Sequence, residues 1–397
     1  MKLAERIQRV KPSPTLAIDT KAKALKAEGI DVIGFGAGEP DFDTPDFIKQ
    51  AAIDALKAGK TKYTPVGGVN ELKDAIISKL KRDNNLTYTR EEVIVSCGGK
   101  HSLYNIAQVL FEAGDEVIIP APYWVSYPDQ VLLNDAKPVI VTTQEKNGFK
   151  ITPAELEKAI TPKTKAFILN SPSNPTGSAY SKKELEDIAE VLVRKNVICI
   201  SDEIYEKIIY DGFQFTSIAS LNDKIKALTI TVNGASKVYS MTGWRMGYAV
   251  GPQDVIKAMT KLQGQVTTNI ATATQWGSVA ALNGPQDFLK DWVTEFKKRR
   301  DTILQRFAAI PHVTCYKPEG AFYVFPNVSA YIGKKAAGKI LKTDEELSNY
   351  LLEKHLVAVV AGSGFGAPGY IRLSYATSMA NIEKGLDRIE KGLKELN

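Results

Sequence analysis

Three short polar segments, each closing an apolar strand-like run, hold residue types from which a site can be built. Asn170-Ser-Pro-Ser-Asn174-Pro-Thr-Gly177 follows Ala166–Leu169, and Ser201-Asp202-Glu203-Ile204-Tyr205 closes Val197–Ile200. Asn233-Gly234-Ala-Ser236-Lys237 follows Ala227–Thr231, with Gly243-Trp-Arg245-Met-Gly247 just beyond. An amine, a carboxylate, a phenol and a guanidinium therefore gather at the carboxyl ends of neighbouring strands, where open α/β sheets bind ligands. Such a set can hold an anion and move protons or act as a nucleophile. Taken singly, each has an ordinary explanation. Asn-Pro and Thr-Gly favour turns, an aspartate can cap a helix, and most lysines are solvated surface charges. The set as a whole, in this order and spacing, points to chemistry.

Other motifs carry less. Gly34-Phe-Gly36-Ala-Gly38 follows a strand-like run as a dinucleotide fingerprint would, but Glu39-Pro40-Asp41-Phe42 follows and no helix can start cleanly there. Gly98-Gly99-Lys100 hints at a phosphate loop but lacks the upstream glycine and the following Ser/Thr of an NTPase. Cys97, Cys199 and Cys315 are far apart and form no CxxC, so neither a disulfide framework nor a zinc site is supported. Cys97 and Cys199 lie in apolar runs, where a buried, hydrophobe-like thiol is expected. His101, His312 and His355 show no metal-ligand spacing and read as structural.

The elements that must position the polar segments alternate along the chain. Strand candidates are Val93–Ser96, Glu116–Ile119, Pro138–Val141, Ala166–Leu169, Val197–Ser201, Ala227–Thr231 and Met246–Val250. Several are continuous apolar runs, as in strands covered on both faces of a mainly parallel sheet. Helix candidates between them include Leu103–Phe111 and Lys182–Arg194, the latter with Ser181 as N-cap and Glu184 at the capping-box position. The fold class expected is α/β. After about residue 285 the pattern becomes α+β: a long helix Pro285–Ala309, a strand Ala321–Pro326, a helix Thr343–Lys354, strands Val357–Val360 and Tyr370–Ala376, and a terminal amphipathic helix. The expected division is a large domain over 46–285 and a smaller one over 286–397, joined by the N-terminal arm, 1–45.

The 397 residues suffice for two domains, and 51 Lys and Arg against 45 Asp and Glu leave a formal charge of only +6, not gathered into a tail. Lys297, Lys298, Arg299 and Arg300 form the densest basic cluster and read as a solvated helix face rather than a nucleic-acid patch. The basic start lacks an apolar core and cleavage site, and no apolar stretch approaches the about 20 residues that span a bilayer. A cytoplasmic protein without membrane or nucleic-acid partners is expected.

From about Ile33 to Tyr375 the chain resembles the fold-type I aminotransferases of pyridoxal phosphate, and within them the bacterial aspartate aminotransferase branch. The resemblance rests on Ala37-Gly-Glu-Pro-Asp-Phe, Lys62-Tyr-Thr-Pro, Ala121-Pro-Tyr-Trp-Val-Ser-Tyr-Pro, Ser173-Asn-Pro-Thr-Gly, Ser201-Asp-Glu-Ile-Tyr, Ser236-Lys, Met241-Thr-Gly-Trp-Arg-Met-Gly-Tyr and Ile371-Arg-Leu-Ser-Tyr-Ala. It implies a large domain with a seven-stranded, mainly parallel sheet covered by helices. It also implies pyridoxal 5'-phosphate as cofactor, joined as an imine to Lys237, which also shuttles the proton. Asp202 would pair with the ring nitrogen, Tyr205 and Asn174 would reach the ring's phenolic oxygen, and Trp124 would stack on the ring; a core aromatic is the bland alternative for Trp124. Gly98, Gly99 and Lys100, before a helix beginning near Ser102, together with Ser236 and Arg245, would hold the phosphate. Tyr63 would reach the phosphate of a neighbouring subunit, making a homodimer with shared sites. Many relatives carry serine where this chain has Gly234, which leaves Ser236 as the nearby hydroxyl.

For the substrate, the resemblance implies that Arg372 clamps the α-carboxylate, with Gly38 and Trp124 in the same pocket. Lys100 and Thr15 occupy the positions with which this branch binds a distal carboxylate, so aspartate and glutamate, paired with 2-oxoglutarate and oxaloacetate, are expected. The same pair goes with prephenate as amino acceptor, which stays open, as does a lyase on the same fold.

Overall fold

The computed structural model describes residues 1–336 and 338–396. Its centre is a seven-stranded sheet in the order β2-β8-β7-β6-β5-β3-β4. These strands are β2 Val93–Cys97, β3 Glu116–Ala121, β4 Lys137–Thr142, β5 Thr164–Asn170, β6 Ile198–Asp202, β7 Thr229–Gly234 and β8 Met246–Val250. Only β8 runs antiparallel to its neighbours. Most of these strands are apolar on both faces, with Val93–Val95, Val117–Ile119, Phe167 and Val232 all buried. That is what helices on either side demand. The helix Lys182–Lys195 is started by Ser181, whose hydroxyl accepts from the Glu184 N–H while the Glu184 carboxylate accepts from the Ser181 N–H, the expected capping box.

The remaining strands build a second region. β1 Ile33–Gly34 pairs in parallel with β12 Val357–Ala358, so the N-terminal segment and the C-terminal part are stitched by backbone bonds. β13 Val360–Ala361, β14 Ile371–Ser374 and β9 Tyr323–Val324 form an antiparallel sheet. β10 Lys335–Ala336 and β11 Lys339–Ile340 form a small hairpin. Helices Phe288–Ala308, Asp344–His355 and Met379–Lys394 pack on these strands, around Phe35, Phe296, Phe307, Leu351, Leu373 and Ile389.

Several expectations are corrected. The helix after Gly98 begins at Gly99, not near Ser102, because Gly98 itself serves as its cap with a φ of 82° that side-chain-bearing residues avoid. Ala227 and Leu228 belong to a short helix capped by the Asn222 side chain, so β7 starts later than the apolar run suggests. The run Ala321–Pro326 pairs only at Tyr323–Val324, and Val357–Val360 divides between two sheets. Cys97 is exposed at the end of its strand rather than buried.

The basic cluster is only half a solvated face: Lys297 and Lys298 reach solvent, but the two arginines do not. Arg299 and Arg300 share the inner stripe of their helix with Phe296, Ile303 and Phe307, and both are buried. Arg299 bonds Asp41 and Glu295; Arg300 bonds Asp211, Asp301 and the Pro318 carbonyl. Five fixed donors let a guanidinium stay charged where these partners are supplied. No helix among the described residues is long and apolar enough to cross a membrane.

One close approach matters for function. A Cβ on Gly247, in β8, would lie 2.2 Å from the Gly99 nitrogen and 2.3 Å from the Gly98 carbonyl carbon. The Gly98–Gly99 turn therefore rests directly on the neighbouring strand. Gly247→Ala should cost about 1–3 kcal/mol of stability, as overpacking does. Chemical denaturation of the cofactor-free protein, read as a midpoint shift, measures it.

Candidate active site

The carboxyl ends of β2, β3, β5, β6 and β7 meet at one edge of the sheet. Because β8 is antiparallel, its amino end, just after Arg245, arrives at the same edge. A cleft of ≈ 440 Å³ opens there, and the second region closes its other side. Its walls include Lys237, Asp202, Tyr205, Asn174, Ser236, Trp124, Gly99, Lys100 and Arg245 from the sheet side. Thr15, Gly38 and Arg372 come from the second region.

Lys237 follows β7 through the turn Ala235–Ser236, and its ammonium donates to the Gly38 carbonyl. Removal from water pushes its pKa down to about 8, helped by the Arg372 and Arg245 cations and opposed by Glu39 and Asp202. The amine is thus neutral in part near physiological pH. Asp202, the last residue of β6, is buried, and its carboxylate accepts from the Tyr127 hydroxyl at 2.7 Å and the Ile204 N–H at 3.3 Å. Burial raises its pKa to about 6, against the opposing pull of those bonds and of Lys237. A cation at the carboxylate would draw that value down again.

Tyr205 stands in the turn after β6, and its hydroxyl shares a 2.7 Å hydrogen bond with that of Tyr323 across the two regions. Burial holds its phenol well above the ordinary range, so it stays a donor. Trp124, after β3, meets Tyr127 edge to face at 5.3 Å, and the Lys100 ammonium lies 4.8 Å from its ring centre. Desolvation first, and Arg245 after it, lower the pKa of Lys100.

An anion cradle lies at the other end. The helix Gly99–Leu110 points its amino terminus at the cleft, where the Gly99 and Lys100 N–H groups have no helical acceptor. A Cβ on Gly98 would lie 2.5 Å from an Arg245 nitrogen, so backbone and guanidinium face one small space. Arg245 donates to the Thr242 carbonyl at 2.9 Å. Gly234 has no room for a side chain: a Cβ there would sit 2.7 Å from the Met246 oxygen. Ser236 is the hydroxyl that lines the cleft instead.

Arg372, on β14, is buried, donating to Asn174 Oδ1 at 2.9 Å and the Gly36 carbonyl at 2.6 Å. Its Nε is buried with no hydrogen-bond partner among the described residues. Such an orphan is costly unless a ligand fills it. Thr15 shares a 2.9 Å bond with Ser13 at the start of the helix Pro14–Ala27. Two of the expected residues do not line the cleft: Gly98, which sits just behind Gly99 against Arg245, and Tyr63, 89% exposed on the surface.

Pyridoxal phosphate can be tested against this donor set. It needs an amine, a carboxylate for its ring nitrogen, donors for its phenolic oxygen, a flat partner for the ring and a cradle for a dianion. The cleft provides Lys237, Asp202, Tyr205 with Asn174, Trp124, and the Gly98–Gly99 turn with Ser236 and Arg245, and so it fits. The residues that sequence alone left without a role are Tyr127, Tyr323 and Glu39. Tyr127 and Glu39 lie inside matched phrases, but their partners, Asp202 and Thr242, are distant in sequence. Tyr323 gave no signal.

Comparison with known proteins agrees. The family model for aminotransferase class I and II matches residues 30–389. An aspartate aminotransferase of Bacillus sp. (strain YM-2) is 51% identical over 392 residues, covering 99% of both chains. A probable aspartate/prephenate aminotransferase of Aquifex aeolicus is 48% identical over 396 residues, again 99% of each. The crystal structure of the aspartate aminotransferase from Rhizobium meliloti superposes with a TM-score of 0.96 at 47% identity, covering 100% of both chains. With a family match over most of its length, and a cleft whose donors suit that family's cofactor, the chain belongs to the class I and II aminotransferases.

Proposed function

We propose that this aminotransferase moves the amino group of L-aspartate to 2-oxoglutarate, releasing oxaloacetate and then L-glutamate in two half-reactions, with pyridoxal 5'-phosphate attached at Lys237. The observation that carries the substrate choice is the pair of cationic side chains lining one cleft: the Arg372 guanidinium on one wall and the Lys100 ammonium on another. A dicarboxylic amino acid can meet both cations, whereas a neutral one leaves Lys100 with only the through-space pull of Asp129. Arg372 grips the α-carboxylate through its planar fork, held in place by Asn174 and Gly36. Lys100 and Thr15 receive the distal carboxylate.

Pyridoxal phosphate, when bound, supplies the electron sink that lets the α-proton leave. The chain does the rest. Lys237, released by the incoming amino group, takes that proton and returns it elsewhere. Its lowered pKa keeps the amine able to accept it. Asp202 holds a proton on the ring nitrogen, and Tyr127 fixes the orientation of that carboxylate. Tyr205 and Asn174 donate to, or position, the phenolic oxygen, and Trp124 covers the ring. Gly98, Gly99, Ser236 and Arg245 hold the phosphate. An exposed tyrosine at Tyr63 suits a homodimer in which it completes the partner's phosphate site. The segment 1–45 and the region 286–397 are proposed to move together over 46–285 when substrate binds. Prephenate as an alternative amino acceptor is favoured by the name of the Aquifex relative and by Thr15 and Lys100 lining the cleft.

Four outcomes are expected. An absorbance spectrum of the holoenzyme should lose its near-visible band on adding aspartate and regain it with 2-oxoglutarate; Lys237→Ala should show no turnover while still retaining the cofactor noncovalently. Near-normal transamination by that variant would sink the assignment. Lys100→Ser should lower kcat/KM for aspartate by about 10–100-fold, the worth of one charged hydrogen bond, and leave alanine almost unaffected; an equal loss for both assigns Lys100 to the phosphate turn instead. Finally, covalent uptake of pyridoxal phosphate by the cofactor-free protein should speed up as pH rises through about 8 and then level off, since the neutral amine attacks. A rate still climbing toward the ordinary lysine range contradicts a depressed Lys237.

A further inference from the structure

Behind the cleft lies a chain of buried polar side chains that the reaction does not consume. Glu206 follows Tyr205 directly and is 4% exposed; Lys79 and Asn84 reach it from the helix Asn70–Asn84, and Asn233 from the end of β7. Lys79 donates to Glu206 Oε1 and, at 2.7 Å, to Asn84 Oδ1. Asn84 Nδ2 donates to Glu206 Oε2 at 2.8 Å. Asn233 Nδ2 donates to Glu206 Oε1 at 2.9 Å, and Asn233 Oδ1 accepts the Gly234 N–H at 2.7 Å. All four side chains are more than nine-tenths buried.

This network joins two turns that must keep a fixed distance. One carries Asp202 and Tyr205, and the other carries Ser236 and Lys237. Between the two turns the backbone contributes the Glu203 N–H bond to the Val232 carbonyl. The Glu206 carboxylate spans the same gap one layer deeper, and through Asn233 it fixes Gly234, three residues before Lys237. On its other side Gly234 is backed by the Met246 oxygen, which leaves no space for it to shift. A buried ion pair is poor evidence of stabilisation, since apolar replacements often fold as well or better. Its retention here has a geometric explanation instead. We propose that Glu206, anchored by Lys79 and Asn84, is a positioning residue that sets Lys237 against Asp202 and Tyr205 through Asn233. This rests on the role of Lys237 proposed above.

The test compares two uncharged double variants of the holoenzyme. Lys79→Met with Glu206→Leu removes the acceptor for Asn233. Lys79→Met with Glu206→Gln keeps an acceptor oxygen and the same side-chain length. Positioning predicts that the leucine variant loses about tenfold or more in kcat with KM for aspartate nearly unchanged, while the glutamine variant recovers most of it. The pH midpoint of the near-visible absorbance should move in the leucine variant and not in the glutamine one. Wild-type kcat in the leucine variant overturns the proposal, as does equal impairment of the two. Should neither fold, Asn233→Ala asks the same question, and an unchanged kcat and absorbance midpoint overturn it. If wild type itself fails to respond to aspartate, the substrate assignment has failed. The absorbance titration then still decides the positioning role by itself.

Discussion

A half-buried, desolvated lysine next to fixed charges is the constraint on which the rest depends. An ammonium in a dry site is unfavourable, and Lys237 meets that by a lowered pKa rather than by a salt bridge. Its only direct hydrogen-bond partner among the described residues is a backbone carbonyl, that of Gly38. A carboxylate in contact would have restored the charge and removed the nucleophile. The nearest acids are instead tied up elsewhere: Asp202 accepts from Tyr127, and Glu39 accepts from Thr242 at 2.8 Å. Second partners of this kind let oppositely charged groups share a cleft without collapsing onto each other.

The cleft is also a junction. The sheet supplies the amine, the acid and the anion cradle, all from loops at one edge, because parallel strands end together. The guanidinium proposed to clamp the substrate comes from the other side. Arg372 is on a strand of the antiparallel sheet, and it reaches the cleft by bonding Asn174 of the first region and Gly36 of the N-terminal segment. Tyr205 and Tyr323 make a second such bridge. The guanidinium proposed to bind substrate is thus one of the groups that join the two regions. A carboxylate bound at Arg372, as proposed, would act on the junction itself and would give the proposed closure a physical cause.

Much of this was legible in the chain because motif residues lie next to strand ends. Asp202, Lys237 and Asn174 each sit at or just after an apolar run, so sequence position implied spatial position. The helix Lys182–Lys195 was legible for another reason: its start is encoded in Ser181 and Glu184, three residues apart. Where the chain misled, the cause was burial that local pattern cannot show. Arg299 and Arg300 look like a solvated basic face, yet their partners Asp41 and Asp211 are far away in sequence. Cys97 looks buried, yet its strand ends at the open edge of the cleft.

The sequence by itself determined the alternating architecture, the family and the chemical identity of the site, since each depends on residue types at short, fixed spacing. Only the tertiary structure decided the environment of those residues. The lowered pKa of Lys237, the raised one of Asp202, the orphaned Arg372 nitrogen and the Glu206 network all arise from groups brought together across tens to hundreds of positions. Desolvation and hydrogen bonding depend on distance in space, and a linear spacing carries no record of it.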